Sequence, residues 1–333
     1  MLNRHSADPE QWYVTTVCGD LFAEEIELVL PHEHVCVEAR DPLHPGYLDL
    51  DWLDVTQRTS DALAALRRSG VSLIVDWTAI GMGRNALFLR DVSRRSGMPI
   101  ACATGIGMGA MPPSLSRGSV DRLAEEFVSE ISLGVDHSSI RATFIKVTSL
   151  DGGPTSAERR VLLAAGIAAS ETGAALAIHA LDATAIYEAL KLVTREALDL
   201  RQVIWGHAEF ASRADQLEVA ARGVTLQFDG VSVARPEPYA IDDPENTLLG
   251  QLEALIEAGY EQQLLISNDA SIVRAPDPRY AGDPSILIQR FMPLMEKRFG
   301  KAMVDLITRQ NPIRTFGRRV SPRSRKKLPH ESL

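Results

Sequence analysis

The feature that most constrains the fold of this chain is a regular alternation between short apolar segments and longer amphipathic ones. The short segments are rich in Val, Ile and Leu, which is typical of parallel strands that are buried on both faces. They recur along 333 residues, a length that excludes a small module held together by disulfides. The predicted strands are 28–35, 72–77, 100–104, 143–147, 176–179, 203–207, 224–228 and 264–268.

The segments between the predicted strands have the periodicity of helices, and several of them end in glycine. Gly70, Gly97, Gly173, Gly223 and Gly259 each follow a helical segment and precede a strand, as C-terminal capping glycines do. The predicted helices are 54–69, 85–96, 119–133, 157–172, 183–198, 211–222, 247–258 and 284–299, the last kinked or broken at Pro293.

Eight strand–helix units in one chain predict a (β/α)8 TIM barrel, an α/β fold with a single domain. A doubly wound open sheet is the alternative, but it normally has a glycine-rich phosphate loop after its first strand, and none follows Val35. We expect the barrel to span residues 1–317. Residues 318–333 begin with a strongly basic run, and we expect a mobile, solvated C-terminal tail there.

Composition argues against several classes of partner and location. The chain has 35 Lys and Arg residues against 44 Asp and Glu, and its net charge of −9 disfavours binding to nucleic acid. No apolar run is long enough to cross a bilayer and residues 1–10 are polar, so we expect neither a membrane span nor a secretion signal. Cys18, Cys36 and Cys102 are odd in number and widely spaced, which favours a reducing compartment, the cytoplasm.

Four of the eight histidines lie at the carboxyl ends of predicted strands, where barrel enzymes have their active sites. His32 and His34 are two residues apart near the end of the first strand, so both side chains point the same way. His179 and His207 close the fifth and sixth strands. Any one of these could be a hydrogen-bonded structural histidine, but packing alone does not explain their shared location. Together they indicate a metal site.

Asp269 ends the eighth predicted strand and faces the same mouth as the histidines. Its carboxylate could bind a metal, accept a proton or do both. The alternative is a helix N-cap on the following loop.

Lys146 lies inside an apolar strand, where an unpaired ammonium group is costly to bury. A lysine that extends to the strand end, or one that forms a Schiff base with a substrate, leaves the histidines unexplained. A neutral lysine can instead react with carbon dioxide, and the resulting carbamate can bridge two cations. Two divalent metals, Asp269, the carbamate and a bridging hydroxide sum to a charge of about +1, whereas unmodified Lys146 leaves about +3.

These residues occur in motifs that resemble those of the phosphotriesterase-like family of the amidohydrolase superfamily. The resemblance extends over roughly residues 16–316, and the number, order and spacing of the motifs make it specific. The matching segments are 28–34, 74–78 with Gly83-Arg84, 104–105, 143–146, 178–179, 206–207, 267–269 and 311–312.

The resemblance implies a (β/α)8 barrel with a binuclear centre of divalent metals, commonly zinc. A hydroxide shared by the metals would attack a carboxylic ester, lactone or amide, and Asp269 would accept the proton. The corresponding ligands are His32, His34 and Asp269 for the more buried metal, His179 and His207 for the more exposed one, and carboxylated Lys146 as the bridge.

Other functions stay open at this point. The same site could hydrolyse an organophosphate triester, which is the main alternative. A metal-containing binding protein without turnover and a Schiff-base lyase that uses free Lys146 are further alternatives. Lactonase members of the family usually have an aromatic residue after strand 3 and an arginine after strand 7, but residues 104–109 and 229–231 contain neither. This departure argues against a homoserine lactone as substrate.

Three residues are predicted substrate contacts for a small molecule. Met108 lies in a loop of Gly and Met residues that would give an adaptable surface, unless it is an ordinary glycine-rich loop. Arg274 could bind a substrate anion or form a surface ion pair with Asp277. Trp77 could line the pocket or fill the barrel. The resemblance also implies a homodimer.

Overall fold

The predicted barrel is confirmed in a computed structural model, which describes residues 12–107, 118–196, 198–231 and 243–319. The eight predicted strands all form, and they lie parallel in one continuous sheet. The strands within these ranges are β1 (Trp12–Thr16), β2 (Gly19–Phe22), β3 (Val29–Glu38), β4 (Leu73–Asp76), β5 (Ile100–Thr104), β6 (Phe144–Thr148), β7 (Leu176–His179), β8 (Val203–Gly206), β9 (Thr225–Phe228), β10 (Leu264–Ile266), β11 (Ser271–Ala275) and β12 (Arg318–Arg319).

The helices follow the predicted segments and begin at side-chain caps. Asp51, Asn85, Ser119 and Asp182 each accept a backbone N–H of the first turn, and Thr155 forms a capping box with Glu158. The helices are α1 (Trp52–Arg68), α2 (Ala86–Ser96), α3 (Val120–Ser132), α4 (Ser156–Thr172), α5 (Ala183–Val193), α6 (Arg213–Ala221), α7 (Pro244–Glu257), α8 (Met292–Phe299), α9 (Lys301–Asp305) and α10 (Asn311–Phe316).

The helix predicted at 284–299 is interrupted near its proline, as expected. A π-helical turn at Leu287–Phe291 precedes α8, and Pro293 lies in the first turn of α8. Proline has no N–H to donate to the preceding turn, so the hydrogen-bond pattern changes there.

The last strand of the barrel is made of two pieces, which the sequence did not predict. β10 pairs with β9, and after a short excursion β11 pairs with β3 in parallel. Between the two pieces, the N–H of Asp269 donates to the carbonyl of His32 over 3.1 Å, and the N–H of His34 donates to the carbonyl of Ala270 over 2.9 Å. These bonds close the barrel and place Asp269 beside the two histidines.

A small antiparallel sheet of β1, β2 and β12 covers the opposite end of the barrel. The N–H of Val17 donates to the carbonyl of Ile100 at the start of β5, and Thr143 donates to the carbonyl of Thr15. The sheet therefore lies at the amino ends of the parallel strands. β12 contains the first two residues of the predicted tail, and the rest of that tail lies outside the described residues.

The core has two layers, as a barrel requires. One fills the space between the sheet and the helices. The other fills the barrel interior, where small residues such as Ala101, Ala103 and Ala177 pack beside the large rings of Trp77 and Phe144. None of the helices in the described ranges combines the length and apolarity needed to cross a bilayer.

Gly105, just after β5, has the backbone conformation and close packing that only glycine tolerates. Its φ is +97°, and a Cβ there would lie 2.2 Å from the carbonyl oxygen of Lys146. We expect Gly105→Ala to lower the free energy of unfolding by at least ~2 kcal/mol, because strain and a backbone clash add together. Chemical denaturation measures this change.

The matched control is Gly250→Ala on the exposed side of α7, where a Cβ meets nothing within 4 Å. There the substitution should stabilise the protein by ~0.5–1 kcal/mol, because alanine has the higher helix propensity. Equal effects at the two positions would contradict the assigned role of Gly105.

Candidate metal centre

His32 and His34 meet Asp269 at the carboxyl end of the barrel. Oδ1 of Asp269 lies 3.4 Å from Nε2 of His32 and 3.2 Å from Nε2 of His34. The ligand atoms of the three residues all lie within 4.8 Å of one another, close enough to hold one metal ion. The two histidines are buried and Asp269 keeps 16% of its side chain exposed, so the group opens to solvent on the Asp269 side.

Glu33 holds the segment that carries Asp269. As the residue between the two histidines, it points to the other face of β3. Its carboxylate accepts hydrogen bonds from Ser267 Oγ (2.7 Å), from the backbone and side-chain nitrogens of Asn268 (3.0 and 2.8 Å), and from the N–H of Ala270 (2.9 Å). Asp269 itself has φ +51°, a strained conformation for a residue with a Cβ. Glu33 therefore stabilises a backbone shape that aims Asp269 at the histidines.

Burial raises the pKa of Glu33 to about 8, although its four hydrogen bonds favour the charged form. No role was predicted for Glu33 from its position in the sequence. A carboxylate inside an apolar strand was the available signal, because such a group is buried only with partners.

His34 is oriented by polar residues at the end of β4. Nδ1 of His34 lies 2.9 Å from Oγ1 of Thr78, and Asp76 accepts the N–H groups of Val35 and Thr78, both over 2.8 Å. Burial raises the pKa of Asp76 and lowers that of His34. The imidazole is therefore held neutral, which is the form that binds metals.

His179 and His207 face each other on neighbouring strands. Nε2 of His207 lies 2.8 Å from Nδ1 of His179. This distance is close to the roughly 3.3 Å that separates two nitrogens bound to the same zinc ion, when each bond is about 2.0–2.1 Å long and the geometry is tetrahedral. His207 leaves β8 with φ +70°, which explains why β8 ends one residue earlier than predicted. His207 is buried, whereas His179 is half-buried.

Asp229, directly after β9, contacts a histidine of each pair. Its Oδ2 lies 3.0 Å from Nδ1 of His32 and 3.3 Å from Nδ1 of His207, and it accepts the N–H of His207 over 3.1 Å. Gln227 donates to Oδ1 over 2.8 Å. Sequence reasoning gave Asp229 no role, although its place at the end of a barrel strand was a usable signal.

Lys146 on β6 is buried, with 2% of its surface exposed. Burial lowers its pKa to about 8, while the negative charge of Asp269 acts in the opposite direction. Nζ lies 3.2 Å from Sδ of Met82. A Cβ on Gly107 would lie 2.3 Å from that sulfur and 3.4 Å from Nζ, so the residues after β5 lie directly against the lysine. A fraction of the lysine is therefore uncharged near neutral pH.

The three predicted substrate contacts differ from one another in their position in the structure. Trp77 has no exposed surface; its ring is stacked on His32 at 3.7 Å and its indole N–H donates to the carbonyl of Pro31. This position favours the barrel-filling interpretation. Arg274 lies within β11, opposite Val37. Met108 lies outside the described residues.

Comparison with known proteins assigns this chain to a family. The sequence matches the phosphotriesterase family over residues 13–316. The chain belongs to the phosphotriesterase family. The predicted resemblance and the predicted metal-dependent hydrolase class are thus confirmed at the level of the family.

Two relatives and one solved structure are similar to this chain over most of its length. A phosphotriesterase homology protein of Escherichia coli (strain K12) is 29% identical, over 86% of this chain and 97% of that protein. An N-acetyltaurine hydrolase of Xenopus tropicalis is 24% identical over 90% and 96%. A solved structure concerned with engineering organophosphate hydrolysis from a weak promiscuous lactonase template has a TM-score of 0.81 and 27% identity, covering 92% of this chain and 100% of that one.

The hydrogen bonds of Glu33 predict a large effect on stability. Glu33→Ala leaves several buried donors without an acceptor, so the free energy of unfolding should fall by at least ~3 kcal/mol. Denaturant unfolding of the metal-free protein measures it. Glu24→Ala, on an exposed carboxylate, is the control and should change stability by no more than about 0.5 kcal/mol. A small effect at Glu33 would mean that the Asp269 segment is held by other contacts.

Proposed function

We propose that this protein is a binuclear metal-dependent hydrolase of a carboxylic ester, lactone or amide. One observation carries the proposal: His32, His34 and Asp269 converge on one point of the barrel mouth, and His179 and His207 converge on another. Two divalent metals bound there, zinc being the expected ion, would supply a hydroxide nucleophile and polarise the carbonyl oxygen of the substrate.

The proposed ligands divide by burial. The buried pair His32 and His34, with Asp269, would bind the inner metal, and His207 with the half-buried His179 would bind the outer one. Asp269 lies beside the first pair, and Nε2 of His207 lies 2.8 Å from Nδ1 of His179, which supports this division.

Carboxylated Lys146 is the proposed bridge between the metals. Its neutral amine would add to carbon dioxide, forming an N–C bond and releasing one proton to solvent. The pKa of about 8 supports this step, because the neutral amine is the reactive form. The net charge also favours carboxylation of Lys146. Two divalent metals, Asp269, the carbamate and a bridging hydroxide sum to about +1, and the negative charge of nearby Asp229 brings the sum near zero.

Asp269 is the proposed proton acceptor. Its Oδ1 faces both His32 and His34, and its partial exposure gives a route for the proton to solvent. A carboxylate buried without an outlet would have to retain the proton and so block the next turnover.

Substrate class rests on the named relatives and on the loops. An amide is supported by the N-acetyltaurine hydrolase, and a lactone or an organophosphate by the engineered lactonase template. The main alternative is therefore a phosphotriesterase that uses the same site. Arg274 and Met108 stay proposed substrate contacts for a small molecule.

The decisive experiment is a substrate screen with the metal-loaded protein. It should include lactones, carboxylic esters, N-acyl amino acids and phosphotriesters, each with wild type and Asp269→Asn. Hydrolysis that is lost in the variant while metal content is retained supports the proposal. No turnover of any class supports a binding protein, and borohydride trapping of substrate on Lys146 supports the Schiff-base lyase.

We also expect a reducing compartment and a homodimer. The three cysteines are all free, with Cys36 and Cys102 buried and Cys18 exposed, which supports a reducing compartment such as the cytoplasm. A homodimer is expected by analogy with family members, and sedimentation of the purified protein would test it.

Replacing Lys146 tests the bridge. Lys146→Ala should lose most of the bound metal, because both ions share this ligand, and short carboxylic acids that mimic the carbamate should restore part of it. Elemental analysis measures metal content before and after their addition. Lys191→Ala, on the surface, is the control. Full metal content and activity in Lys146→Ala would show that the lysine does not bridge.

Replacing His179 tests the division into two sites. His179→Ala should deplete mainly one metal of the two, because the inner group of ligands stays intact. The measurement is metal stoichiometry, with the exposed His137→Ala as control. An unchanged ratio of metal to protein in His179→Ala would contradict the assignment.

A further inference from the structure

Asp229 touches a histidine from each proposed ligand pair. Its Oδ2 is 3.0 Å from Nδ1 of His32 and 3.3 Å from Nδ1 of His207. We propose that Asp229 is a positioning residue shared by both metal sites: it fixes which nitrogen of each ring faces the metal and links the two sites mechanically. The inference rests on the proposed binuclear function and deepens it.

Asp229 influences where the proton lies on each of the two rings. A neutral imidazole has one N–H, and the negative charge of a carboxylate oxygen 3.0–3.3 Å from Nδ1 favours the proton on that nitrogen. Nε2 then offers its lone pair. In both rings Nε2 faces the mouth: that of His32 is 3.4 Å from Oδ1 of Asp269, and that of His207 is 2.8 Å from Nδ1 of His179. The contacts to Asp229 therefore select the tautomer that can bind a metal.

Several hydrogen bonds hold the Asp229 carboxylate in one position. Asp229 is fully buried, and Gln227 donates to its Oδ1 while the backbone N–H of His207 donates to its Oδ2. Its own N–H donates to Oε2 of Glu209 over 3.2 Å. Both rings therefore rest against one fixed oxygen, and displacing that oxygen displaces both Nε2 atoms.

Direct metal binding by Asp229 is the competing role. Its Oδ2 and the Nδ1 atoms of His32 and His207 also lie within 4.8 Å of one another. However, the N–H of His207 points at the same Oδ2, and a cation there would meet the positive end of that donor. The geometry therefore favours orientation of the rings over direct coordination.

The test begins with the metal-free full-length protein labelled with ¹⁵N-histidine. Two exchange-protected imidazole N–H signals should appear downfield of the amide region, assigned by their loss in His32→Gln and His207→Gln. Both should disappear in Asp229→Asn. The matched control is Glu209→Gln, which removes a neighbouring buried charge but keeps an oxygen for the N–H of Asp229, so both signals should remain. Signals that are missing in wild type, or that persist in Asp229→Asn, would overturn the proposal.

A second variant covers the case in which Asp229→Asn does not fold. Gln227→Met removes the donor to Oδ1 and leaves the carboxylate in place. Both imidazole signals should then shift together, because both rings contact the same carboxylate. A shift of one signal alone, or of neither, would contradict the shared role.

Zinc titration with a competing chelator supplies the second readout. Asp229→Asn should weaken both equivalents together, by about 10–100-fold each, in contrast to the loss of mainly one metal in His179→Ala. One equivalent that keeps its wild-type affinity would overturn the inference. A wild-type protein that binds no zinc would refute the proposed function, whereas the imidazole signals would still decide whether Asp229 orients the rings.

Discussion

The pairing of β3 with the split last strand is the constraint on which the site depends. β3 carries His32 and His34 on one face and Glu33 on the other, and the N–H of Asp269 donates to the carbonyl of His32. The contacts that close the barrel therefore also bring the proposed ligands together. The strained φ of Asp269 persists because Glu33 holds the residues on both sides of it.

Behind the proposed ligands lies a second layer of buried acidic groups. Asp229 contacts His32 and His207, Asp76 holds the Thr78 loop against His34, and Glu209 accepts the N–H of Asp229. Several buried carboxylates around the single described lysine of the site, Lys146, would be unfavourable in a cavity without cations. The proposed pair of divalent ions would offset that charge, so the buried acidic groups are consistent with the proposed chemistry.

Most of the barrel could be predicted from the sequence, because buried parallel strands are short apolar runs. The proposed ligands could be predicted because they lie at the ends of those runs. β1, β2 and β12 escaped prediction because they are short and partly exposed, and β11 because it follows a break in the last strand. Asp229, Glu33 and Thr78 were missed for another reason. A polar residue at a strand end can cap a helix, stabilise a turn or orient another side chain. Which of these roles it has depends on its neighbours in space, which the sequence does not show. Trp77 stayed undecided because lining a pocket and filling a barrel both require an aromatic ring.

The small sheet at the closed end of the barrel has a practical consequence. β1 and β12 are adjacent antiparallel partners, so the two ends of the described chain meet on the side away from the histidines. A tag or fusion partner joined near residue 12 or residue 319 would therefore begin on the side away from the catalytic mouth. The same proximity makes a chain trimmed to these two positions a candidate for circular permutation, in which a short linker joins residues 12 and 319 and new ends are opened elsewhere.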